Sequence, residues 1–185
     1  MATNIERREL LLSDLVNNNT MGNLIESILE INHEDDLKEN TVKDYIRKPI
    51  KLYINSRGGT GDDAIALIDI KEVIKTPIYT YSIGLSASAG LWIFMCGDKR
   101  YIGKNSELMY HEASTGVSGD ITNIQRYMNT GCRMQEKYDD IIIKNTSVTQ
   151  NDLNKIKERR ENWYIQANEA IQLGFADGYI GDEED

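Results

Sequence analysis

The sequence has few of the residues that support metal, disulfide or nucleic-acid chemistry. Cys96 and Cys132 are its only cysteines, and His33 and His111 are its only histidines. Two cysteines so far apart favour reduced, buried thiols over a disulfide, and two histidines do not complete a Cys/His zinc site. Lys and Arg number 21 against 30 Asp and Glu, for a formal net charge of -9. This acidity argues against nucleic-acid binding, because phosphate contacts need cationic side chains.

Long apolar runs are also missing. The longest is LWIFMC, at 91–96, which is too short to span a membrane. The N-terminal sequence MATNIERRELLL lacks the charged-then-apolar order of a signal peptide. These absences predict a cytoplasmic protein with no membrane or nucleic-acid partner and no bound cofactor or metal. The chain is long enough to bury a substantial core, and we expect a single domain over 1–185.

What the chain does have is an alternation of strand-like and helix-like segments. Runs rich in β-branched and aromatic residues, such as IKLYINS and PIYTYSIG, alternate with amphipathic stretches. Asp62 and Asp63 open one predicted helix, and Asp120 is placed to cap a long one. Strands that alternate with helices predict an α/β fold with much parallel pairing. The recurring strand–turn–helix unit favours a spiral of such units over a flat doubly wound sheet.

A charged stretch, HEDDLKENTVKDYIRK at 33–48, interrupts this alternation. Its density of charge predicts a solvated surface insert, a loop with room for a helical turn. His33 lies within this stretch, and we expect it to be exposed and to have no part in chemistry.

Two serines stand where a predicted strand meets a predicted helix, in the run YTYSIGLSASAGLWIFMCG. Ser86 and Ser88 would be explained by a tight crossing that needs small residues. The alternative is that one of them is a nucleophile in the first turn of a helix, where the next backbone N–H can stabilise an oxyanion. Such a nucleophile needs a base, and His111, at the end of ELMYH, is the one histidine outside the charged stretch. A histidine held only by packing remains an alternative, and the α/β-hydrolase motif G-x-S-x-G fits neither serine.

Four blocks of sequence, in order, resemble the proteolytic subunit of the Clp protease. They are YINSRGG (53–59), GLSASAG (84–90), ELMYHEA (107–113) and NWYIQANEAIQLGFADGYI (162–180). The resemblance covers about 8–180, nearly the whole chain. It implies a crotonase-like α/β spiral of ββα units with a protruding long helix. That helix would join subunits into heptameric rings, two of which would stack around a closed chamber.

The same resemblance implies a serine endopeptidase that acts on unfolded polypeptide. Ser88 would be the nucleophile, and His111 the general base and then the general acid. Asn162 falls at the position of the triad acid, where most relatives carry Asp. An amide oxygen can orient the imidazole but cannot stabilise its charged form, so we expect a slow or conditionally active peptidase. Glu161 is adjacent, but its side chain should point elsewhere.

The resemblance also assigns backbone roles. The N–H groups of Gly59 and Ala89 would hold the oxyanion. Backbone at Gly58, Glu112 and Ala113 would pair with the substrate as an added strand.

Three further functions stay open. One is a catalytically silent ring subunit that assembles with an active paralogue, and another is a self-contained processing or maturation protease. A crotonase acting on CoA thioesters would share the fold, but the serine and histidine blocks argue against it. Relatives carry an N-terminal segment that engages an AAA+ unfoldase. Only about seven residues precede the match here, which argues against such docking.

Overall fold

The computed structural model of the chain describes residues 8–114 and 116–183. The first seven residues, on which the expectation about unfoldase docking rests, lie outside this part. The strands are β1 (Glu9–Leu12), β2 (Ile50–Ser56), β3 (Ile78–Ala87), β4 (Lys99–Ile102), β5 (Glu107–Tyr110), β6 (Trp163–Gln166) and β7 (Gly178–Tyr179). The helices are α1 (Asn18–Thr41), α2 (Gly61–Val73), α3 (Ala89–Met95), α4 (Ile121–Asn145), α5 (Gln150–Arg159) and α6 (Ala167–Leu173).

The strands form a largely parallel sheet in the order β1-β2-β3-β4-β7, so the predicted α/β fold is confirmed. The long strand β3 serves two neighbours in turn. Its residues 79–82 pair with β4, and its residues 85–87 pair with β5. Gly84 lies between these halves with φ +73, a conformation that glycine adopts readily. The chain therefore passes from one set of strands to the next within β3, as a spiral arrangement requires.

Helix α3 lies in the centre of the molecule. All of its residues, AGLWIFM, are buried, which fits a helix that is apolar on every side. It packs against α2, α4 and the strands β2, β3 and β5. Because the N-terminus of α3 follows β3 directly, the residue that joins them is held by the core on both sides.

The charged stretch 33–48 is not a solvated loop over its first half. Helix α1 continues through it to Thr41, and Asp35 within that helix is fully buried. The prediction of a loop was wrong for residues 33–41, because ion pairs and hydrogen bonds to Asp35, Asp36 and Glu39 hold this part of the stretch on the helix, although residues 37–44 are exposed. Arg47, for example, reaches back from beyond the helix to Asp36 at 2.5 Å and Glu39 at 2.6 Å.

The carboxylate of Asp35 is the most enclosed of these charges. It accepts hydrogen bonds from both terminal nitrogens of Arg8, at 2.9 and 2.8 Å, and from the Tyr45 hydroxyl at 2.6 Å. The Thr76 hydroxyl donates at 2.7 Å. Burial alone would raise the pKa of Asp35, but these donors, Arg8 first, lower it to about 2. The network ties the end of α1 to the loop before β3.

Both cysteines are free, but they differ in environment. Cys96 is half-buried, and burial raises the pKa of its thiol to about 12. Cys132, on α4, is exposed, so the prediction of two buried thiols was wrong for that residue. In the part of the chain that the structure describes, no helix combines the length and apolar character needed to cross a membrane.

Candidate active site

Ser88 occupies a sharp turn between β3 and α3. Its N–H donates to the Met109 carbonyl at 2.9 Å, which extends the pairing of β3 with β5 by one residue. Its backbone then turns at φ 53 and ψ -124. This conformation is energetically unfavourable for any residue that carries a side chain. A strained serine between a strand and a helix is also what the nucleophile elbow of α/β-hydrolases presents. The local geometry is therefore similar, although the sequence motif is absent.

Ser86 has a different role from Ser88. It is fully buried, and its hydroxyl lies 2.8 Å from the Ser82 hydroxyl. This matches the structural interpretation, in which a small residue fills a tight crossing. Of the two serines that the sequence singles out, only Ser88 remains partly accessible.

The glycine turn after β2 packs directly against Ser88. Gly58 has φ +95, and a Cβ built on it would come within 2.7 Å of the Ser88 Cβ and 3.0 Å of the Ala89 nitrogen. Both the backbone angle and the lack of space therefore require glycine at this position.

The two backbone N–H groups that the resemblance assigns to the oxyanion are those of Gly59 and Ala89. Val16 donates to the Gly58 carbonyl at 2.9 Å and accepts from the Thr60 N–H at 2.8 Å. Because a peptide unit is planar, the Gly59 N–H points away from Val16. The Ala89 N–H belongs to the first turn of α3, where no helical acceptor exists. Within residues 8–114 and 116–183, neither N–H has a hydrogen-bond partner.

His111 follows β5 at the same edge of the sheet. Ala87 pairs with Met109 in parallel register, so Ser88 and His111 leave neighbouring strands that lie about 4.8 Å apart. Ends of parallel strands commonly form a crevice. His111 is half-buried, and burial lowers the pKa of its imidazole. A neutral imidazole at neutral pH is the form that can accept a proton.

Asn162 is brought opposite His111 by a strand that the sequence analysis did not predict. Strand β6 pairs antiparallel with β5, and the last pair joins Tyr110 with Trp163. The next pair in this register is His111 with Asn162. The signal for β6 was the alternation in WYIQ, which is only four residues long. The carboxylate of the adjacent Glu161 lies 3.9 Å from the Arg159 guanidinium.

The strand pairing brings these three residues near one another, but their side chains are not hydrogen-bonded to one another. Among the described residues, no hydrogen bond joins Ser88, His111 and Asn162. Catalytic hydrogen bonds are often long or misaligned in free enzymes and shorten when substrate binds. The isolated chain thus presents a serine hydroxyl, an imidazole and an amide at one edge of the sheet, with no hydrogen bond between them among the described residues.

A polar network beside His111 was missed by the sequence analysis. The buried Asp139 of α4 accepts four hydrogen bonds, from Tyr110 Oη (2.7 Å), Gln135 Nε2 (2.7 Å), Gln150 Nε2 (3.0 Å) and Lys157 Nζ (2.6 Å). Burial alone would raise the pKa of Asp139, but these donors, Lys157 first, hold it below its usual range. The available signal was the position of Asp139 on the apolar side of α4, three residues before Ile142.

Two backbone positions predicted to pair with substrate are already engaged within the chain. The Gly58 N–H donates to Ser56 Oγ at 3.1 Å, and its carbonyl accepts from Val16. The Ala113 N–H donates to Gln135 Oε1 at 2.7 Å. Glu112, between His111 and Ala113, is exposed.

No metal site accompanies these groups. In residues 8–114 and 116–183, no cluster of three or more His, Cys, Asp or Glu side chains is placed to hold an ion.

Comparisons with known proteins all point to one family. A family described as Clp protease matches residues 3–183. ATP-dependent Clp protease proteolytic subunit 2 of Treponema pallidum (strain Nichols) is 29% identical over 138 residues, which cover 73% of this chain and 68% of the relative. The fold is similar to that of a ClpP1 mutant from Listeria monocytogenes that carries an asparagine-to-aspartate exchange. That structure has a TM-score of 0.79 and 21% identity, and the match covers 95% of this chain and 92% of the other.

Proposed function

Because the chain belongs to the Clp protease family, we propose that it is a serine endopeptidase that cleaves unfolded polypeptides. Ser88 is the proposed nucleophile, His111 the general base and Asn162 the residue that orients the imidazole. The observation that carries this proposal is the register of β3 and β5. It leaves Ser88 and His111 on neighbouring parallel strands at one edge of the sheet.

The first chemical step is attack of the Ser88 hydroxyl on the peptide carbonyl. His111 takes the hydroxyl proton, and the lowered pKa of its half-buried imidazole keeps it neutral and able to do so. The proton then passes to the leaving amine, which departs and leaves an acyl group on Ser88. A water molecule, deprotonated by the same imidazole, hydrolyses the ester and restores the serine.

The negative charge on the carbonyl oxygen needs donors at each tetrahedral stage. The N–H groups of Gly59 and Ala89 are the proposed donors, and their lack of partners within the described chain supports this role. Gly58 supports the arrangement sterically, because it allows the turn to contact Ser88.

Asn162 makes the proposed site weaker than a Ser-His-Asp site. Its side-chain oxygen can accept from imidazole Nδ1–H, but it carries no charge to stabilise the imidazolium. Replacing Asp by Asn in a trypsin-like triad lowers turnover by roughly 10⁴. A slow peptidase is therefore the expected outcome.

Assembly is the second part of the proposal. Helix α4 extends from the molecule with three large apolar side chains exposed, Ile121 at 86%, Tyr127 at 60% and Met128 at 52%. Such a surface is typical of a contact between subunits. We propose that α4 joins copies of the chain into stacked heptameric rings around a closed chamber. An AAA+ unfoldase is a candidate partner, because the Treponema relative is named as a subunit of an ATP-dependent protease.

The test is hydrolysis of an intrinsically unfolded protein and of a short fluorogenic peptide by the assembled protein. The oligomeric state is measured in the same samples by light scattering. We expect slow hydrolysis that is lost in Ser88→Ala and in His111→Ala, with assembly unchanged. Hydrolysis that persists in Ser88→Ala would contradict the proposal.

A second candidate is a silent ring subunit. The unconnected side chains of Ser88, His111 and Asn162 favour it. Complete rings of the wild-type protein that hydrolyse neither substrate would support this candidate over the first.

A further inference from the structure

We infer that Gln135 is a latch that occupies the substrate-pairing N–H of Ala113, so that extended substrate must displace Gln135 in order to bind. This inference rests on the proposed function. The amide of Gln135 faces Ala113 with its oxygen at 2.7 Å from the backbone nitrogen. A substrate strand that adds to the segment after His111 would present a carbonyl to the same donor.

The latch is anchored firmly on its other side. Gln135 Nε2 donates to Asp139 Oδ1 at 2.7 Å and lies 3.1 Å from the Tyr110 hydroxyl. Asp139 is 3% exposed and is itself held by Lys157 and Gln150. These contacts orient the Gln135 amide so that its oxygen, and not its nitrogen, faces Ala113.

The substrate side of the latch is weakly held by comparison. Glu112, Ala113 and Ser114 are exposed, and the Gln135 bond is the one hydrogen bond of the Ala113 backbone found within the described chain. A cavity of about 370 Å³ opens between this segment and α4, and it is lined in part by Cys132 and Met128. The segment therefore has space to exchange one acceptor for another without disturbing the core.

The position of the latch couples substrate binding to α4. Tyr110 and Ala113 flank His111, and both bond to side chains of α4. A shift of α4 on assembly would move Gln135 relative to Ala113. Gln135 is thus a positioning residue that links the state of the long helix to the donor offered to the substrate.

The first test removes the acceptor. Gln135→Met keeps the length of the side chain but cannot accept from Ala113. The matched control is Gln125→Met on the same helix, because Gln125 is exposed and bonds only to Asn129 within the described residues. We expect Gln135→Met to lower KM for an extended peptide about fivefold, the equivalent of one competing hydrogen bond, with little change in kcat. Gln125→Met should leave both constants unchanged.

A labelling measurement separates a latch from a merely structural role. A small fluorophosphonate reacts with the serine without pairing as a strand, so its rate with Ser88 should be equal in Gln135→Met and wild type. Loss of labelling together with a raised KM would show that Gln135 only supports the fold near His111. An unchanged KM would also overturn the inference.

A third measurement does not depend on catalysis. In a Ser88→Ala background, hydrogen–deuterium exchange of residues 111–114 should be faster in Gln135→Met than with Gln135 intact. An uncleaved extended peptide should bind the Gln135→Met protein about fivefold more tightly. Equal exchange and equal affinity would contradict the latch. Wild-type protein that is never labelled at Ser88 would instead contradict the proposed function, so the two failures are distinguishable.

Discussion

The serine side and the histidine side of the candidate site are built in different ways. Ser88 is held by backbone: β3 precedes it, the buried helix α3 follows it, and Gly58 packs against it. His111 leaves a four-residue strand and enters an exposed segment held by the side chain of Gln135. Sterically fixed backbone defines one position, whereas a hydrogen bond can be exchanged. We therefore expect the nucleophile to be preorganised and the base to depend on α4 and on assembly.

The substitution that should disturb the position of Ser88 most is Gly58→Ala. The added methyl group would lie 2.7 Å from both the Ala87 carbonyl oxygen and the Ser88 Cβ, at a φ of +95. Displacement of Ser88 by about 1 Å should lower kcat/KM at least about 100-fold. Strain should also destabilise the fold by about 1–3 kcal/mol in denaturant titrations.

The control for this change is Gly22→Ala in α1, where a new Cβ meets no atom within 4 Å. It should leave kcat/KM unchanged and stabilise the fold by about 0.5–1 kcal/mol. Equal activity of Gly58→Ala and Gly22→Ala would contradict the account of the serine side.

The histidine side of the candidate site is tested by Asn162→Asp. A carboxylate opposite His111 stabilises the imidazolium that forms during attack, so kcat/KM should rise by at least about tenfold. Asn168→Asp adds the same charge at an exposed position of α6 and should have no such effect. If both variants behave as wild type, Asn162 does not occupy the acid position.

Lowering the pH should stop the reaction by protonating His111. Only neutral His111 accepts a proton, and burial lowers the pKa of this imidazole from its usual 6.5. The pH profile of kcat/KM should therefore keep its plateau below pH 7 and fall with a midpoint under 6.5. A midpoint above 7 would indicate that His111 is not the base, or that its surroundings change on assembly.

A smaller effect, on the stability of the fold, is expected at lower pH from Asp35, which lies outside the candidate site. The pKa of Asp35 is about 2 when folded and near 3.9 when unfolded, so its stabilisation is complete above pH 4 and is lost as the pH falls toward 2. Asp35→Asn should cost about 2 kcal/mol at neutral pH and should weaken the dependence of stability on pH between 4 and 2. Glu26→Gln, exposed on the same helix, is the control. Thermal unfolding between pH 4 and 2 measures the stability of each variant separately from its activity.

Local patterns were enough to predict most of the fold. The runs IKLYINS and PIYTYSIG form β2 and β3, and helices begin near Asp62–Asp63 and after Asp120, as α2 and α4. Strand β6 was not predicted because four alternating residues carry little periodic signal. The first half of the charged stretch was wrongly predicted as a loop because composition does not reveal that Asp35 and Arg47 find partners distant in sequence.

The candidate site was predictable in its residues but not in its state. Blocks of sequence pointed to Ser88, His111 and Asn162, and these positions stay predictions until activity is measured. The strained turn at Ser88 and the network around Asp139 depend on contacts between distant segments. Such contacts leave no periodic pattern, which is why the hydrogen bond between Gln135 and Ala113 could not be predicted.

The central claim is that Ser88 is a nucleophile activated by His111. The most direct measurement is mass-spectrometric localisation of a fluorophosphonate on the assembled protein, together with the rate of labelling. We predict that the label lies on Ser88, that Ser86→Ala keeps it, and that His111→Ala loses it. A label on another residue, or an unchanged rate of Ser88 labelling in His111→Ala, would contradict the account.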